Sequence, residues 1–334
     1  MPLKLEKAIV FVLVLATATA LAEPPKRSRR SSAAAFDVSA VNDAATATPV
    51  GRGRSGAAVL RAQVLLDRAH FSPGEIDGSF GSNTVRTVSG FQEARGLPGT
   101  GKIDAATWKA LNTDSAPALE QYAISPEDLA GPFQQIPEDM LEKSTLPALG
   151  YSSSLELLSE KFHANPKLLT KLNPGKSFEK AGEEILVPNV HTEGAGEKAA
   201  RIVVNKTAST VTAFDREDKP IAQYPATMGS EHDPLPLGDW KVNGVSRNPS
   251  FHYNPALFWD ADTKDEKATI KPGPNNPVGV VWIDLSKPHY GIHGTPEPST
   301  IGKTQSHGCI RLTNWDAAEL AEMVGPGTPA ILKE

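Results

Sequence analysis

The feature that most constrains the fold of this 334-residue chain is a change in the spacing of its apolar residues. Within residues 55–112 they recur at helical spacing, for example at Val59, Leu60 and Val64. From Arg201 onward, short β-branched and apolar runs alternate with turn residues, which is typical of strands. The length allows two or three domains of roughly 100–200 residues each. We therefore predict a multidomain α+β protein with a helical N-terminal part and a mainly-β C-terminal part.

Composition narrows the possible partners. The 39% of apolar residues is enough for packed cores, and the formal net charge of −5 gives no reason to expect nucleic-acid binding. The 28 prolines and 27 glycines indicate many loops and short strands.

Residues 1–22 have the pattern of a secretory signal peptide. Lys4 and Lys7 form a basic start, residues 8–16 an apolar stretch, and Ala20-Leu21-Ala22 a cleavage site. The apolar stretch is short against the ~20 residues that span a bilayer, although a membrane anchor is the alternative. We expect export to the periplasm of a diderm bacterium, with no stable membrane insertion after signal cleavage.

Residues 23–54 are rich in Ala, Ser, Thr, Pro and Arg with little apolar periodicity, which indicates a flexible linker. Residues 55–113 follow with a helical pattern, a turn at Asp77-Gly78 and a helix cap at Asp104. The run EIDGSFGSNTVRTVSGFQEARGLPGTGKIDAATWKAL resembles the three-helix peptidoglycan-binding domain of cell-wall enzymes. The resemblance implies that this small domain grips the wall polymer, although its turn residues also have a purely structural explanation.

Residues 114–149 are punctuated by proline and serine and predict a connector, with a part of the following module as the alternative. Residues 150–190 contain two helical patterns and one strand. The succession SLELLSEKFHANPKLLTKLNP…AGEEILVPN resembles a LysM module, a small α/β unit that binds glycan, with its first strand poorly marked. The resemblance implies contact with wall glycan, and a simple spacer is the alternative.

Residues 200–334 predict a mainly-β domain in which short strands are separated by turn signals. Such spacing suggests a sandwich or a barrel-like sheet. Asn314 or Asp316 can cap a last helix, and residues 326–332 predict a turn and an edge strand.

Cys309 is the only cysteine, so it has no disulfide partner within the chain. A free thiol in an exported protein is most often a nucleophile. His293 and His307 precede it, and Gly294 and Gly308 lie beside the two histidines. A catalytic thiol needs a base that raises its thiolate fraction and main-chain N–H groups that hold an oxyanion. The stretch therefore has the parts of a cysteine acyl-transfer site.

This stretch resembles the catalytic motif of the L,D-transpeptidases, the penicillin-insensitive enzymes that crosslink peptidoglycan. Their upstream histidine corresponds to His293, and their Ser/Thr-His-Gly-Cys run corresponds to residues 306–309. The resemblance implies a mixed β-sheet sandwich and acylation by carbapenems. It makes Cys309 the nucleophile, which forms a thioester with a tetrapeptide stem, and His293 the base, oriented by the carbonyl of Gly294.

The resemblance also suggests roles for neighbouring residues. Main-chain N–H groups of His307, Gly308 and Cys309 would form the oxyanion hole, and Ser306 would make a local turn bond. Arg311 would meet a substrate carboxylate or support the loop by a salt bridge. Peptidoglycan is the expected partner, at the cell wall, with no cofactor and no metal.

Residues 247–277 form a long aromatic, Pro-rich segment of a kind that often acts as a lid. We expect it to cover the cleft with Phe251, Tyr253 and Trp259 as substrate contacts. An ordinary hydrophobic satellite cluster is the competing interpretation.

Several alternatives remain open. The thioester could pass to a neighbouring stem amine, to water as in an L,D-carboxypeptidase, to a free D-amino acid, or to a lysine of a wall-anchored lipoprotein. A zinc hydrolase using His293, His307 and Cys309 is a rival, but the chain has no His-Glu-x-x-His motif. A non-catalytic wall-binding protein is the other.

Overall fold

The computed structural model of the chain describes residues 36–191, 197–258, 261 and 264–334. The expected signal peptide, residues 23–35 of the expected linker, and Trp259 lie outside the described residues. Residues 35–334 belong to one compact unit.

The described part of the expected linker, residues 36–54, is packed rather than flexible. Asp37 caps a short helix, α1 (Val38–Val41), and Val41 is fully buried. Val50 is also buried and forms an isolated β-bridge with Ile103. The prediction of a linker is wrong here because two valines in a low-complexity composition are enough to fix the segment on the core.

The predicted three-helix domain is present. Asp104 caps its last helix by accepting a hydrogen bond from the Thr107 N–H at 2.8 Å, as the sequence predicts. Its core is built from the apolar positions of all three helices, with Trp108 and Phe91 fully buried among them. The helices are α2 (Ala57–Arg68), α3 (Ser82–Ala94) and α4 (Ala105–Leu111).

A second module follows, and its first strand lies inside the segment predicted to be a connector. Strand β1 (Leu119–Ala123) pairs antiparallel with β2 (Glu184–Pro188). Three helices lie between them: α5 (Met140–Thr145), α6 (Ser154–Lys161) and α7 (Pro166–Leu172). The boundary at residue 150 is therefore wrong, because β1 is recognisable only through its distant partner β2. Residues 114–149 carry that strand and the helix α5.

The C-terminal module consists of eleven strands and one helix among the described residues. They are β3 (Arg201–Asn205), β4 (Thr210–Phe214), β5 (Pro220–Pro225), β6 (Thr227–Met228), β7 (Gly238–Arg247), β8 (Phe251–Tyr253), β9 (Ala268–Ile270), β10 (Val281–Leu285), β11 (Gly291–His293), β12 (Ile310–Arg311), α8 (Asn314–Met323) and β13 (Pro329–Lys333). Thr313, rather than Asn314 or Asp316, caps α8. Short 3-10 turns occur in the chain at Glu127–Leu129, Pro255–Leu257 and Pro298–Thr300.

Nine of these strands form one mixed sheet in the order β5-β4-β3-β13-β7-β10-β11-β12-β6. Strands β5 and β6 are separated in sequence only by Ala226, yet they stand at opposite ends of this order. The sheet must therefore curl until its two edges meet, which gives the sandwich predicted from the strand pattern. One apolar cluster fills the interior and includes residues of both halves and of α8. The C-terminal strand β13 is central, between β3 and β7, and not the predicted edge strand.

The helical module covers the free edge of the sheet at β5. Main-chain hydrogen bonds run from Gln223 N–H to the His70 carbonyl and from Ser72 N–H to the Gln223 carbonyl, each at 2.9 Å. Covering an edge strand satisfies its unpaired backbone groups. The first and third modules are therefore joined by a strand-like contact, not by a loose tether.

Within the described part of the chain, every helix is too short or too polar to cross a membrane.

Candidate active site

The pairing of β11 with β12 brings the two halves of the sequence motif together. These strands are parallel, with Ile292 opposite Ile310 and His293 opposite Arg311. Both isoleucines are fully buried in the core. Because side chains alternate along a strand, His293 and Arg311 project from the opposite face. Cys309 is the residue just before β12, and its Sγ lies close to the carbonyl oxygen of His289, two residues before β11 begins.

His293 is held in one orientation and kept neutral. It is 4% exposed, and its Nδ1 lies 2.7 Å from the Gly294 carbonyl oxygen. Since a carbonyl only accepts, Nδ1 must carry the proton and Nε2 is left with the free electron pair. Burial, followed by the nearby positive charge of Arg311, lowers the pKa of His293 to about 3. The imidazole is therefore a neutral base at physiological pH.

The ring of His293 also stacks on the indole of Trp282, with centroids 5.4 Å apart and planes at 17°. Trp282 is directly opposite His293 in the antiparallel pairing of β10 with β11. The sequence analysis did not select Trp282, because its role follows from that register and not from any local pattern.

The thiol of Cys309 is half-buried and protonated in the resting state. Its Sγ lies 3.8 Å from the His289 carbonyl oxygen, which accepts the thiol hydrogen. Burial raises the pKa of Cys309 above its ordinary value, although the Gly291 N–H and the Arg311 charge act in the opposite direction. The thiol and the imidazole are therefore both neutral in the resting protein, and the roles of Cys309 as nucleophile and His293 as base stay predictions.

The loop before Cys309 is closed by its own polar groups. Ser306 is buried, and its hydroxyl donates to the Cys309 carbonyl at 2.6 Å, as the predicted turn bond requires. Gly308 has a φ of +94°, where an L side chain would be strained, and a Cβ there would lie 2.9 Å from Tyr290 Cε1. Tyr290, which the sequence analysis missed, therefore packs directly on the nucleophile loop.

The predicted lid contributes one aromatic contact to the site. Strands β8 and β9 pair as a hairpin, and Phe258 between them meets His307 edge-on, with ring centroids 5.2 Å apart. Phe258 was not among the predicted substrate contacts.

Two predicted lid contacts lie within the hairpin. Tyr253 is 5% exposed, and its hydroxyl donates to Asp265 at 2.5 Å. Phe251 packs against Tyr253 and Phe258, with centroids 6.4 and 6.5 Å away. The ring and hydroxyl of Tyr253 are therefore engaged inside the aromatic cluster of the hairpin, and its role as a substrate contact stays a prediction.

One cavity lies away from these residues. A cleft of about 460 Å³ opens where the three modules meet and is lined by residues of each, including Glu75, Glu160 and Trp315. Neither Cys309 nor His293 lines it, so we assign it no part in the bond-breaking step. No group of three or more potential metal ligands occurs among the residues that the structure describes.

Comparisons with known proteins agree with this geometry. A family model described as the L,D-transpeptidase catalytic domain matches residues 199–332. A second model, described as a peptidoglycan binding domain, matches residues 55–111.

Curated relatives carry the same name. A protein of Bacillus licheniformis named as the L,D-transpeptidase YkuD is 32% identical over 177 residues, covering 52% of this chain and 90% of the relative. Its namesake from Bacillus subtilis is 32% identical over 165 residues, covering 49% and 79%. An L,D-transpeptidase-named protein of Fuscovulum blasticum is 48% identical over 105 residues, covering 31% and 54%. Together with the matching catalytic-domain model, these relatives establish that the chain belongs to the L,D-transpeptidase family.

Proposed function

We propose that this L,D-transpeptidase acts as a cysteine acyltransferase, with Cys309 as nucleophile and His293 as general base and acid. The observation that carries the proposal is the parallel pairing of β11 with β12, which sets His293 opposite Arg311, two residues after Cys309. The hydrogen bond from His293 Nδ1 to Gly294 leaves Nε2 free to take a proton. Neutral thiol and neutral imidazole are the protonation states from which such a transfer starts.

The first half-reaction forms a thioester. Cys309 Sγ attacks the carbonyl carbon between the third and fourth residues of a tetrapeptide stem while His293 Nε2 takes the thiol proton. The tetrahedral intermediate collapses with cleavage of the amide bond. The imidazolium gives its proton to the leaving nitrogen, and the terminal D-amino acid departs as a free amine.

The second half-reaction transfers the acyl group. A side-chain amine of a neighbouring stem attacks the thioester carbon, and His293 takes a proton from the attacking nitrogen. Sulfur leaves and recovers that proton, so the enzyme is regenerated. The product is a crosslink between the third residues of two stems.

The loop from Ser306 to Cys309 is suited to stabilise the oxyanion. We assign the main-chain N–H groups of His307, Gly308 and Cys309 to this role, because the bond between Ser306 and the Cys309 carbonyl fixes the turn that presents them. The absence of a side chain at Gly308 lets a substrate carbonyl approach the backbone.

Arg311 has two parts in this proposal. Its charge adds to the effect of burial in lowering the pKa of His293, and it opposes the rise that burial causes in the pKa of Cys309. Its guanidinium also suits a carboxylate of the stem peptide, which it would bind bidentately. Phe251 and Phe258 of the hairpin supply an apolar wall for the stem, and Trp259 stays a predicted substrate contact.

Peptidoglycan is the partner that the two matching domains imply. We propose that the helical module, and the second module as a LysM-like unit, hold the wall polymer while the C-terminal module acts on its stems. Export through the signal at residues 1–22, with the protein then working in the periplasm, fits this substrate.

The experiment is incubation of the purified protein with a disaccharide-tetrapeptide, followed by liquid chromatography and mass spectrometry. We expect release of the terminal D-amino acid together with a dimer crosslinked through the third residues. Cys309→Ala and His293→Gln are the matched controls, and both should release nothing above background. Release without dimer would instead indicate water as the acceptor. A stem–lipoprotein conjugate that forms in place of the dimer when a lysine-bearing lipoprotein is supplied would indicate a protein acceptor. No release from wild type with its thiol reduced would contradict the proposal.

A further inference from the structure

The side chain of Asn314 packs against the peptide that orients His293. Asn314 is the first residue of α8, and its Oδ1 occupies space that a Cβ on Gly294 or on Gly279 would need. The same Oδ1 accepts a hydrogen bond from the Val280 N–H at 3.3 Å. Gly294 is the residue whose carbonyl holds His293 Nδ1. The Asn314 amide therefore packs against Gly294, the residue whose carbonyl accepts from His293.

The other end of this amide is held by a residue of the second module. Asn314 Nδ2 donates to Glu160 Oε1 at 2.8 Å and to the Pro274 carbonyl at 3.1 Å. Glu160 is in α6, and its other oxygen accepts from the Tyr151 hydroxyl at 3.3 Å. A carboxylate and a carbonyl can only accept, so together they fix which end of the amide carries the NH₂ group.

This arrangement makes the orientation of Asn314 depend on Glu160. If the amide were turned over, its NH₂ group would meet the Val280 N–H and press on Gly294, while its oxygen would face two acceptors. Loss of Glu160 removes one of the two acceptors that oppose this rotation. It also leaves a buried N–H without its partner, which is costly in a dry environment.

A neighbouring contact provides a natural control. Glu156, also in α6, accepts from Asn275 Nδ2 at 2.7 Å. Like Glu160, it joins the second module to an asparagine of the C-terminal module. Unlike Asn314, Asn275 does not border Gly294.

We propose that Glu160 is a positioning residue for the transpeptidase reaction, acting through Asn314 on the Gly294 carbonyl that orients His293. The second module thereby supports catalysis directly, apart from any contact with glycan. The inference rests on His293 as the base, and a separate measurement of the imidazole tests the hydrogen-bond chain by itself.

A glutamine at position 160 should preserve the effect. Burial raises the pKa of Glu160 to about 7, so a protonated carboxyl is compatible with this site. A protonated carboxyl and a glutamine amide each keep one oxygen that can accept from Asn314. Glu160→Gln is therefore the conservative variant, and Glu160→Leu removes the acceptor at similar size.

The kinetic experiment uses the full chain and follows acylation of Cys309 by a carbapenem at several concentrations. Glu160→Leu should lower the maximal acylation rate constant roughly tenfold with little change in the concentration for half-maximal rate. Glu160→Gln, the control Glu156→Gln and the matched control Glu156→Leu, which removes the acceptor for Asn275, should stay within about twofold of wild type. Glu160→Ala also removes the acceptor but leaves a smaller side chain, so it is measured beside Glu160→Leu to separate loss of the hydrogen bond from changes in packing. The melting temperature of each variant shows whether it is folded.

The spectroscopic experiment records ¹⁵N resonances of histidine-labelled protein, with the His293 signals assigned by their loss in His293→Gln. In wild type, Glu160→Gln and Glu156→Gln, His293 should show a single tautomer protonated at Nδ1. In folded Glu160→Leu and Glu160→Ala, it should shift toward exchange between tautomers. This measurement needs no turnover, so it tests the hydrogen-bond chain even if wild type forms no acyl-enzyme.

Two results would overturn the inference. One is a folded Glu160→Leu with wild-type acylation and a wild-type His293 spectrum. The other is an equal loss in Glu156→Leu, which would make the effect a general loosening of the contact between modules. Absence of acylation in wild type, with the predicted tautomer changes intact, would instead count against the proposed function alone.

Discussion

The hydroxyl of Ser306 donates a hydrogen bond to the main-chain carbonyl of Cys309 across 2.6 Å, and so closes the loop that carries the thiol. The Ser306 N–H donates in turn to the Gly229 carbonyl at 3.2 Å. One buried residue therefore ties Cys309 to the segment that follows β6.

Replacing Ser306 with alanine should separate loop geometry from global stability. We expect Ser306→Ala to lose about 1–2 kcal/mol of unfolding free energy, because a buried carbonyl loses its donor. Acylation by a carbapenem should slow by roughly ten- to a hundredfold, because a small displacement of the nucleophile is costly. Chemical denaturation and stopped-flow acylation measure the two effects. Ser306→Thr keeps the hydroxyl and should retain most of the rate; equal losses in both variants would contradict this role.

Gly308 should not tolerate a side chain. Its φ of +94° is outside the comfortable range of L residues, and an added methyl would press on Tyr290. We expect Gly308→Ala to reduce acylation strongly and to cost about 1–2 kcal/mol of stability from backbone strain. Gly325→Ala is the control, since a Cβ there meets nothing within 4 Å and its φ is not positive. Wild-type acylation by Gly308→Ala would show that the loop is not confined in this way.

The rate of alkylation of Cys309 should depend on pH like that of a half-buried thiol whose proton has not been transferred to a neighbouring base. Because burial raises the pKa of Cys309, the thiolate fraction should climb through the neutral range by roughly tenfold per pH unit. The rate of iodoacetamide alkylation, measured by mass between pH 6 and 8.5, should climb with it and show no plateau. Cys309→Ala gives the blank, since the chain has no other cysteine. A plateau near neutrality would indicate a preformed thiolate–imidazolium pair and would contradict the neutral resting state.

Asp316 should make the junction of the three modules less stable as pH rises. Burial, reinforced by the charge of Asp67, raises the pKa of Asp316 to about 8. Its folded pKa is thus above its ordinary value of 3.8, and the folded state binds the extra proton. Stability from this group is present at low pH and is lost as pH climbs toward 8.

His163 lies in the same junction, and its contribution to stability changes with pH in the same direction as that of Asp316. Although burial by itself acts the other way, the charge of Asp67, 2.9 Å from Nδ1, leaves the pKa of His163 raised. Its contribution is therefore also lost with rising pH. Asp316→Asn removes only the carboxyl titration. Scanning calorimetry between pH 5 and 9 should show that the melting temperature of Asp316→Asn falls less steeply with rising pH than that of wild type. Parallel curves for the two proteins would show that Asp316 does not titrate in this window.

What the sequence predicts well here is local. The helical module is visible because its apolar spacing and the Asp104 cap lie within a few residues of one another. Cys309 and His293 stand out through a gapped motif, and the parallel pairing of their strands explains why that gap is needed.

What the sequence misses depends on distant pairing. Strand β1 looks like a connector until β2, far along the chain, supplies its hydrogen bonds. Strand β13 looks like an edge because it is short and terminal, yet it joins β3 and β7 in the middle of the sheet. Trp282, Tyr290 and Asn314 reach the site through such registers and contacts, so no local pattern marks them.

The central claim is that Cys309 is the acyl acceptor and His293 its base. The most direct measurement is the intact mass of wild type, Cys309→Ala and His293→Gln after incubation with a carbapenem, with the free thiol verified beforehand. The account predicts a covalent adduct on wild type, none on Cys309→Ala, and an adduct that forms roughly 10²–10⁴ times more slowly on His293→Gln. An adduct that persists in Cys309→Ala, or none on wild type with a reduced thiol, would contradict it.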